Sequence, residues 1–142
     1  SRVLFRSIAL PVFRDSEIDW DRPLETSEPG ARPPESLVAE AERTGARRKK
    51  LVRGECGFFM NRSVLPADFE VPAHEHDHAE LLVVVRGGCS LADGVVLGPD
   101  DAIVIHANTR YGFTCGPNGM EFLTIRTAEA GVAFDANGPT GP

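Results

Sequence analysis

Cysteine is scarce in this chain. There are three, Cys56, Cys89 and Cys115, an odd count with no Cys-x-x-Cys spacing. That excludes a disulfide framework and leaves reduced thiols in a cytoplasmic protein as the expectation. Long apolar runs are missing as well. None approaches the roughly 20 residues that cross a bilayer, and no signal-peptide pattern opens the sequence, so no membrane partner is expected. Positive charge is in deficit, with a net charge of -6. This argues against nucleic acid as the main partner, because phosphate binding needs a basic surface. No helix-turn-helix pattern is present either, which disfavours a transcription factor. Histidine is equally sparse at four residues, yet three of the four crowd into "HEHDH", residues 74–78.

What is present is an ordinary globular composition. At 142 residues, 42% hydrophobic and 25% charged, the chain has the size and apolar content to bury one core. "VLFRSIALPVF", Val3 to Phe13, is rich in β-branched and aromatic residues and predicts a strand. The polar, proline-rich stretch that follows predicts an irregular arm, ordered if Ile18 and Trp20 dock. "PPESLVAEAERTG" predicts a short helix, with prolines at its start, Gly45 at its end, and Leu37, Val38 and Ala41 as its apolar stripe. The basic run "ARRKK" reads as a solvated connection, or else as a contact for an acidic substrate at a pocket mouth.

From Leu51 onward, short strand-like runs alternate with turn signals. The turns are expected at Pro66–Asp68, Gly87–Gly88, Asp93–Gly94, Gly98–Asp100, Asn108–Thr109 and Gly116–Gly119. This is the texture of an all-β sandwich or barrel. The organisation expected is an N-terminal strand, arm and helix over 1–50, a β-barrel over 51–128, and a C-terminal tail over 129–142.

The histidine cluster lies on a predicted strand. Alternation turns His74 and His76 to one face, where their imidazoles can converge, and Glu80 follows a short turn later. Two neutral imidazoles and a carboxylate suit Fe(II), Mn(II), Ni(II) or Zn(II) and leave coordination positions open. The competing reading is a strand with surface histidines.

The spacing His74-x-His76-x3-Glu80-x6-Gly87 resembles the first motif of the cupins, small β-barrels that hold a metal inside. The stretch "GPDDAIVIHANTRYGF" resembles their second motif in degraded form. The family's upstream glycine falls at Asp68. In the second motif its opening glycine falls at Asp100, its proline at His106, its second glycine at Asn108, its metal-binding histidine at Tyr111 and its closing asparagine at Cys115. Asn108 is a tolerable replacement, since asparagine accepts positive φ. The resemblance spans roughly residues 51–127. It implies a cupin-type double-stranded β-helix, a jelly-roll barrel, carrying the N-terminal arm and one short helix.

The ligand set implied is His74, His76 and Glu80, with Tyr111 in the fourth place. Three roles for Tyr111 stay open: a phenolate ligand, an acid or base beside an open three-coordinate metal, or the mark of a site that holds no metal. His78 is an alternative ligand or a neighbour of the site, and His106 a residue of the pocket mouth. Alternation would turn Phe113 and Cys115 inward with Tyr111, and Leu82, Val84 and Arg86 inward with Glu80. The inner faces around Asn61 and Arg126 stay undecided, and an inward arginine would favour a carboxylate-bearing substrate. Cys115 is expected as an apolar filler.

The resemblance implies a metal-dependent enzyme on a small organic molecule, oxygenase-type with Fe(II) preferred. The alternatives are a lyase, isomerase or cyclase with Tyr111 as base, and a non-catalytic binding module. Pairing of exposed sheet edges suggests a homodimer.

Overall fold

The computed structural model describes residues 9–21, 33–129 and 132–134. Its element order is α1 (Glu35–Thr44), β1 (Arg47–Arg53), β2 (Phe59–Leu65), β3 (Glu70–His76), β4 (Glu80–Leu91), β5 (Val96–Leu97), β6 (Ala102–Ile105), β7 (Tyr111–Arg126) and β8 (Val132–Phe134). Every strand pairing among them is antiparallel. One path runs β1-β2-β7-β3-β8, and β4 joins β7 while also pairing with β5 and β6. β7 therefore pairs with three other strands, and the sheet rolls up around it. This is the all-β roll with one helix that the strand texture predicts.

Alternation builds the inside. Asn61, Ser63 and Leu65 of β2, Glu80, Leu82 and Val84 of β4, and Phe113, Cys115, Phe122 and Thr124 of β7 are all buried. Strands with one buried face read as period two. Helix α1 closes as expected at Gly45, which takes the left-handed conformation at φ 81°. That conformation costs a glycine little and leaves its N–H free to bond the Ala41 carbonyl. Leu37 and Ala41 of α1 and the following Ala46 join the same buried cluster as the barrel residues.

Three residues that stand where the cupin motifs carry glycine have positive φ: Asp68 at 60°, Asp100 at 70° and Asn108 at 58°. Aspartate and asparagine visit this region more readily than other side-chain-bearing residues. The turn geometry is thus kept although the glycines are not.

Several expectations need correction. Residues 9–13 carry no strand, and Leu10 and Val12 are largely exposed. The rest of the predicted first strand, 3–8, lies outside the described residues, as does the closing "ANGPTGP". The basic run is no connection, because it opens β1. Gly87 and Gly88 make no turn but lie within β4, where its register to β7 slips between Gly87 and Cys89. Gly116–Gly119 likewise lies within the long β7. Glycines here serve bulges and close backbone approach instead of chain reversal. Beyond residue 129, β8 pairs with β3 through Val132 to Phe134.

Part of the arm docks. Asp21 N–H bonds the Arg48 carbonyl at 2.7 Å, and the Trp20 ring lies 4.4 Å from both the Arg47 guanidinium and the Lys49 ammonium. Lys49 is buried on the outer face of β1, and its Nζ is held by Asp15 Oδ2 at 3.1 Å and the Asp15 carbonyl at 2.8 Å. A buried ammonium is tolerable only when oxygens replace its water in this way.

Candidate functional site

His74 and His76 share the inner face of β3, and Glu80 opens β4 on the same interior. All three are buried, at 6%, 9% and 4% exposure. Tyr111, at the start of β7, stands opposite His74 in the strand register. The ring centroids of His74 and Tyr111 are 4.5 Å apart, those of the two histidines 5.0 Å, and those of His76 and Tyr111 6.2 Å. The turn between β3 and β4 and the pairing of β3 with β7 therefore gather four chemical groups at one place.

Hydrogen bonding fixes part of their state. His74 Nδ1 lies 2.9 Å from the Pro72 carbonyl. A carbonyl only accepts, so Nδ1 carries the proton and Nε2 keeps its lone pair. This is the tautomer that metal-binding histidines adopt. Burial lowers the His74 pKa, keeping the ring neutral. His76 Nε2 lies 3.1 Å from Glu80 Oε2, but off line for a hydrogen bond, so that buried carboxylate oxygen has none. Burial raises the Glu80 pKa against the opposing pull of Arg126. Burial also raises the Tyr111 pKa, the Glu80 charge adds to the rise, and Arg126 again opposes. The phenol is thus held firmly protonated, and the Arg126 guanidinium is within electrostatic reach of both groups.

The donor set fits a divalent ion in kind. Two donors each about 2.1 Å from an ion, at right angles, lie about 3 Å apart, and the His76–Glu80 separation matches that figure. The set is not closed as it stands: among the described residues, no three His, Cys, Asp or Glu side chains are arranged to hold a metal.

The cluster opens on a cavity of about 140 Å³ whose wall is mostly apolar, with Leu65, Phe69, Val71, Phe113 and Phe122 prominent. Asn61 and Arg126, undecided in the sequence, both line it. Phe113 faces inward as expected. Cys115 is buried beside Cys89 on the neighbouring strand and does not line the cavity, in keeping with a filler.

Three expected residues lie elsewhere. His78 bonds Asp77 in the exposed turn at 2.9 Å, and His106 is exposed and absent from the cavity wall. Arg86 points outward, with its side chain 82% exposed and paired with Glu121 at 3.1 Å. The β4–β7 register slips between Val84 and Arg86. A bulge there breaks the alternation that should have carried Arg86 inward after Val84.

Leu37 lines the cavity without having been expected there, Ser63 and Thr124 lie on the two faces left undecided, and Arg47 and Arg48 bring the basic run to the wall, where its second reading had placed it. Arg48 stands opposite Ser63, and Ser63 opposite Phe122, so one row of inward side chains crosses three strands. The signal was available: "RRKKLVR" alternates as a strand does, but its charge masks the period.

No family profile matches the chain, and no curated protein matches it. Solved structures do. The polyketide cyclase RemF from Streptomyces resistomycificus is 20% identical with a TM-score of 0.63, covering 92% of this chain and 90% of its own. An RmlC-like cupin protein from Ralstonia eutropha is 17% identical with a TM-score of 0.64, covering 96% and 79%. KdgF from Halomonas sp. is 18% identical with a TM-score of 0.60, covering 85% and 96%. With its strands rolled about a closed interior and its glycine-slot turns kept, the chain has the fold of the small RmlC-like cupins, the double-stranded β-helix.

Proposed function

We propose that the chain is an enzyme acting on a small organic molecule inside the barrel, by metal-assisted proton transfer of the cyclase, isomerase or lyase kind. The observation that carries this reading is the convergence of His74, His76, Glu80 and Tyr111 on one largely apolar cavity. A divalent ion held by His74, His76 and Glu80 would supply Lewis acidity to a substrate carbonyl and acidify the adjacent C–H. The chain's own groups do the rest. The Pro72 carbonyl fixes the His74 ring so that Nε2 faces the site. The apolar wall keeps out water and strengthens every polar contact within.

Tyr111 serves as an acid in this reading. The base role expected of it needs a phenolate, and burial works against that form. A protonated phenol can donate to a substrate oxygen as negative charge builds there. Fold-level support comes from the polyketide cyclase RemF, which shows that a roll of this kind can house cyclase chemistry.

The oxygenase reading uses the same imidazole and carboxylate donors with Fe(II) and O₂, and the kind of donor favours it. Metal analysis of tag-free protein tests both readings. Stoichiometric divalent metal is expected, and its loss in His76→Ala. Failure to retain iron, manganese, nickel or zinc after incubation overturns the metal-assisted reading. O₂ consumption against a substrate panel would replace proton transfer by oxygenation. With substrate in hand, Tyr111→Phe should lower turnover by about 10²-fold or more while metal content stays unchanged.

A further inference from the structure

Three arginines, Arg47, Arg48 and Arg126, contribute to the cavity wall, against a single carboxylate, Glu80. Arg47 is engaged with Trp20, and Glu80 already lies beside His76. Arg126 is different. It closes β7 two positions after the inward-facing Thr124. Its Nε is buried and makes no hydrogen bond. A guanidinium does not shed its proton, so its charge and its directed donors persist whatever the pH. Arg126 as a whole is half-buried, but a buried N–H with no acceptor is costly unless something else completes it. Arg48 sits on the same wall two strands away and adds to the positive field.

We propose that the ligand of this cavity is a small carboxylic acid, its carboxylate received by Arg126 and its hydrocarbon body packed on the phenylalanine-rich wall. A planar carboxylate matches the planar fork of arginine through two parallel N–H bonds. The cavity has room for a body of about one ring. The inference rests on reading this cavity as the ligand site, and it narrows that reading to one charge class.

Calorimetric titration with benzoate and salicylate, against benzamide and salicylamide, tests it. The amides keep the shape and lose the charge. Wild-type protein is expected to bind the acids about tenfold or more tightly than the amides. Arg126→Gln should abolish that preference by weakening the acids alone. Arg126→Lys should keep part of it, and Arg86→Gln, on the outer face, should behave as wild type. Arg126→Lys carries the test if Arg126→Gln melts early. Equal affinity for acids and amides, a preference that survives in both Arg126 variants, or no binding of any of the four probes overturns the proposal. Metal content measured on the same samples shows whether the site reading falls with it: retained metal with no preference for the acids removes only the carboxylate.

Discussion

Gly87 has φ 69°, and a β-carbon added there would collide with the Gly119 carbonyl oxygen across the β4–β7 pairing. Gly87→Ala is therefore expected to destabilise the fold by more than the roughly 1–2 kcal/mol that left-handed backbone costs by itself. Urea denaturation measures this. The thiols differ in the same residue-specific way. Cys56 is exposed, whereas Cys89 and Cys115 are buried. Burial raises the pKa of Cys89, and that of Cys115 to about 12. One thiol should react with maleimide in the native protein, and all three after unfolding; fast native reaction of Cys115 would contradict the packing. The sign for stability follows. The folded state holds the Cys115 proton more tightly than the unfolded chain, so this thiol leaves stability intact below its ordinary pKa of 9.0 and lowers it as pH rises toward about 12. Cys115→Ala should flatten that alkaline decline, as followed by melting temperature. At this scale the sequence was informative about the cluster, because two histidines two apart on a strand must share a face. It was uninformative about Arg86, since no residue type announces the bulge that turns it out.

At the scale of elements, the arm and β1 depend on each other. Trp20 lies over Arg47 and Lys49, and the Asp15 oxygens hold Lys49 Nζ. Cation–π contacts of this kind contribute about 0.5–2 kcal/mol. Trp20→Ala should therefore loosen the arm without unfolding the barrel. The measurement is hydrogen exchange, with faster exchange at the Asp21 amide, which bonds the Arg48 carbonyl. The helix was legible from its prolines, its closing glycine and its narrow apolar stripe. The strand beginning at Arg47 was not, because lysine and arginine conceal alternation when each face offers its cations a partner. The inner face gives Arg48 a place on the cavity wall and the outer face gives Lys49 the arm. Gly116–Gly119 misled for the opposite reason: glycines that break a strand in isolation are carried within β7 by pairings that flank them, up to Cys115 with β4 and from Met120 with β2 and β4.

For the whole molecule, stability should be graded by pairing. β7 is bonded to β2, β3 and β4, and β4 to β5, β6 and β7. Their amides should exchange slowest, and those of α1 and β8 fastest. Longer protection of β8 than of β7 would overturn this ranking. Leu82, near the start of β4, faces the interior and is 2% exposed. Leu82→Ala should cost about 2–5 kcal/mol through lost burial and the void left behind. The interior is divided between such packing and the cavity, whose polar groups would be unfavourable in a purely structural core.

The sequence by itself determined the alternation, the helix with its stop, and the crowding of imidazoles and a carboxylate on one strand–turn–strand unit, because these follow from local periodicity and from which residues tolerate positive φ. Only the tertiary structure decided that Tyr111 faces His74, that Arg48 and Arg126 turn into the cavity, and that Arg86, His78 and His106 stay out of it. Those outcomes depend on register between strands far apart in the chain, and one bulge is enough to exchange inside for outside.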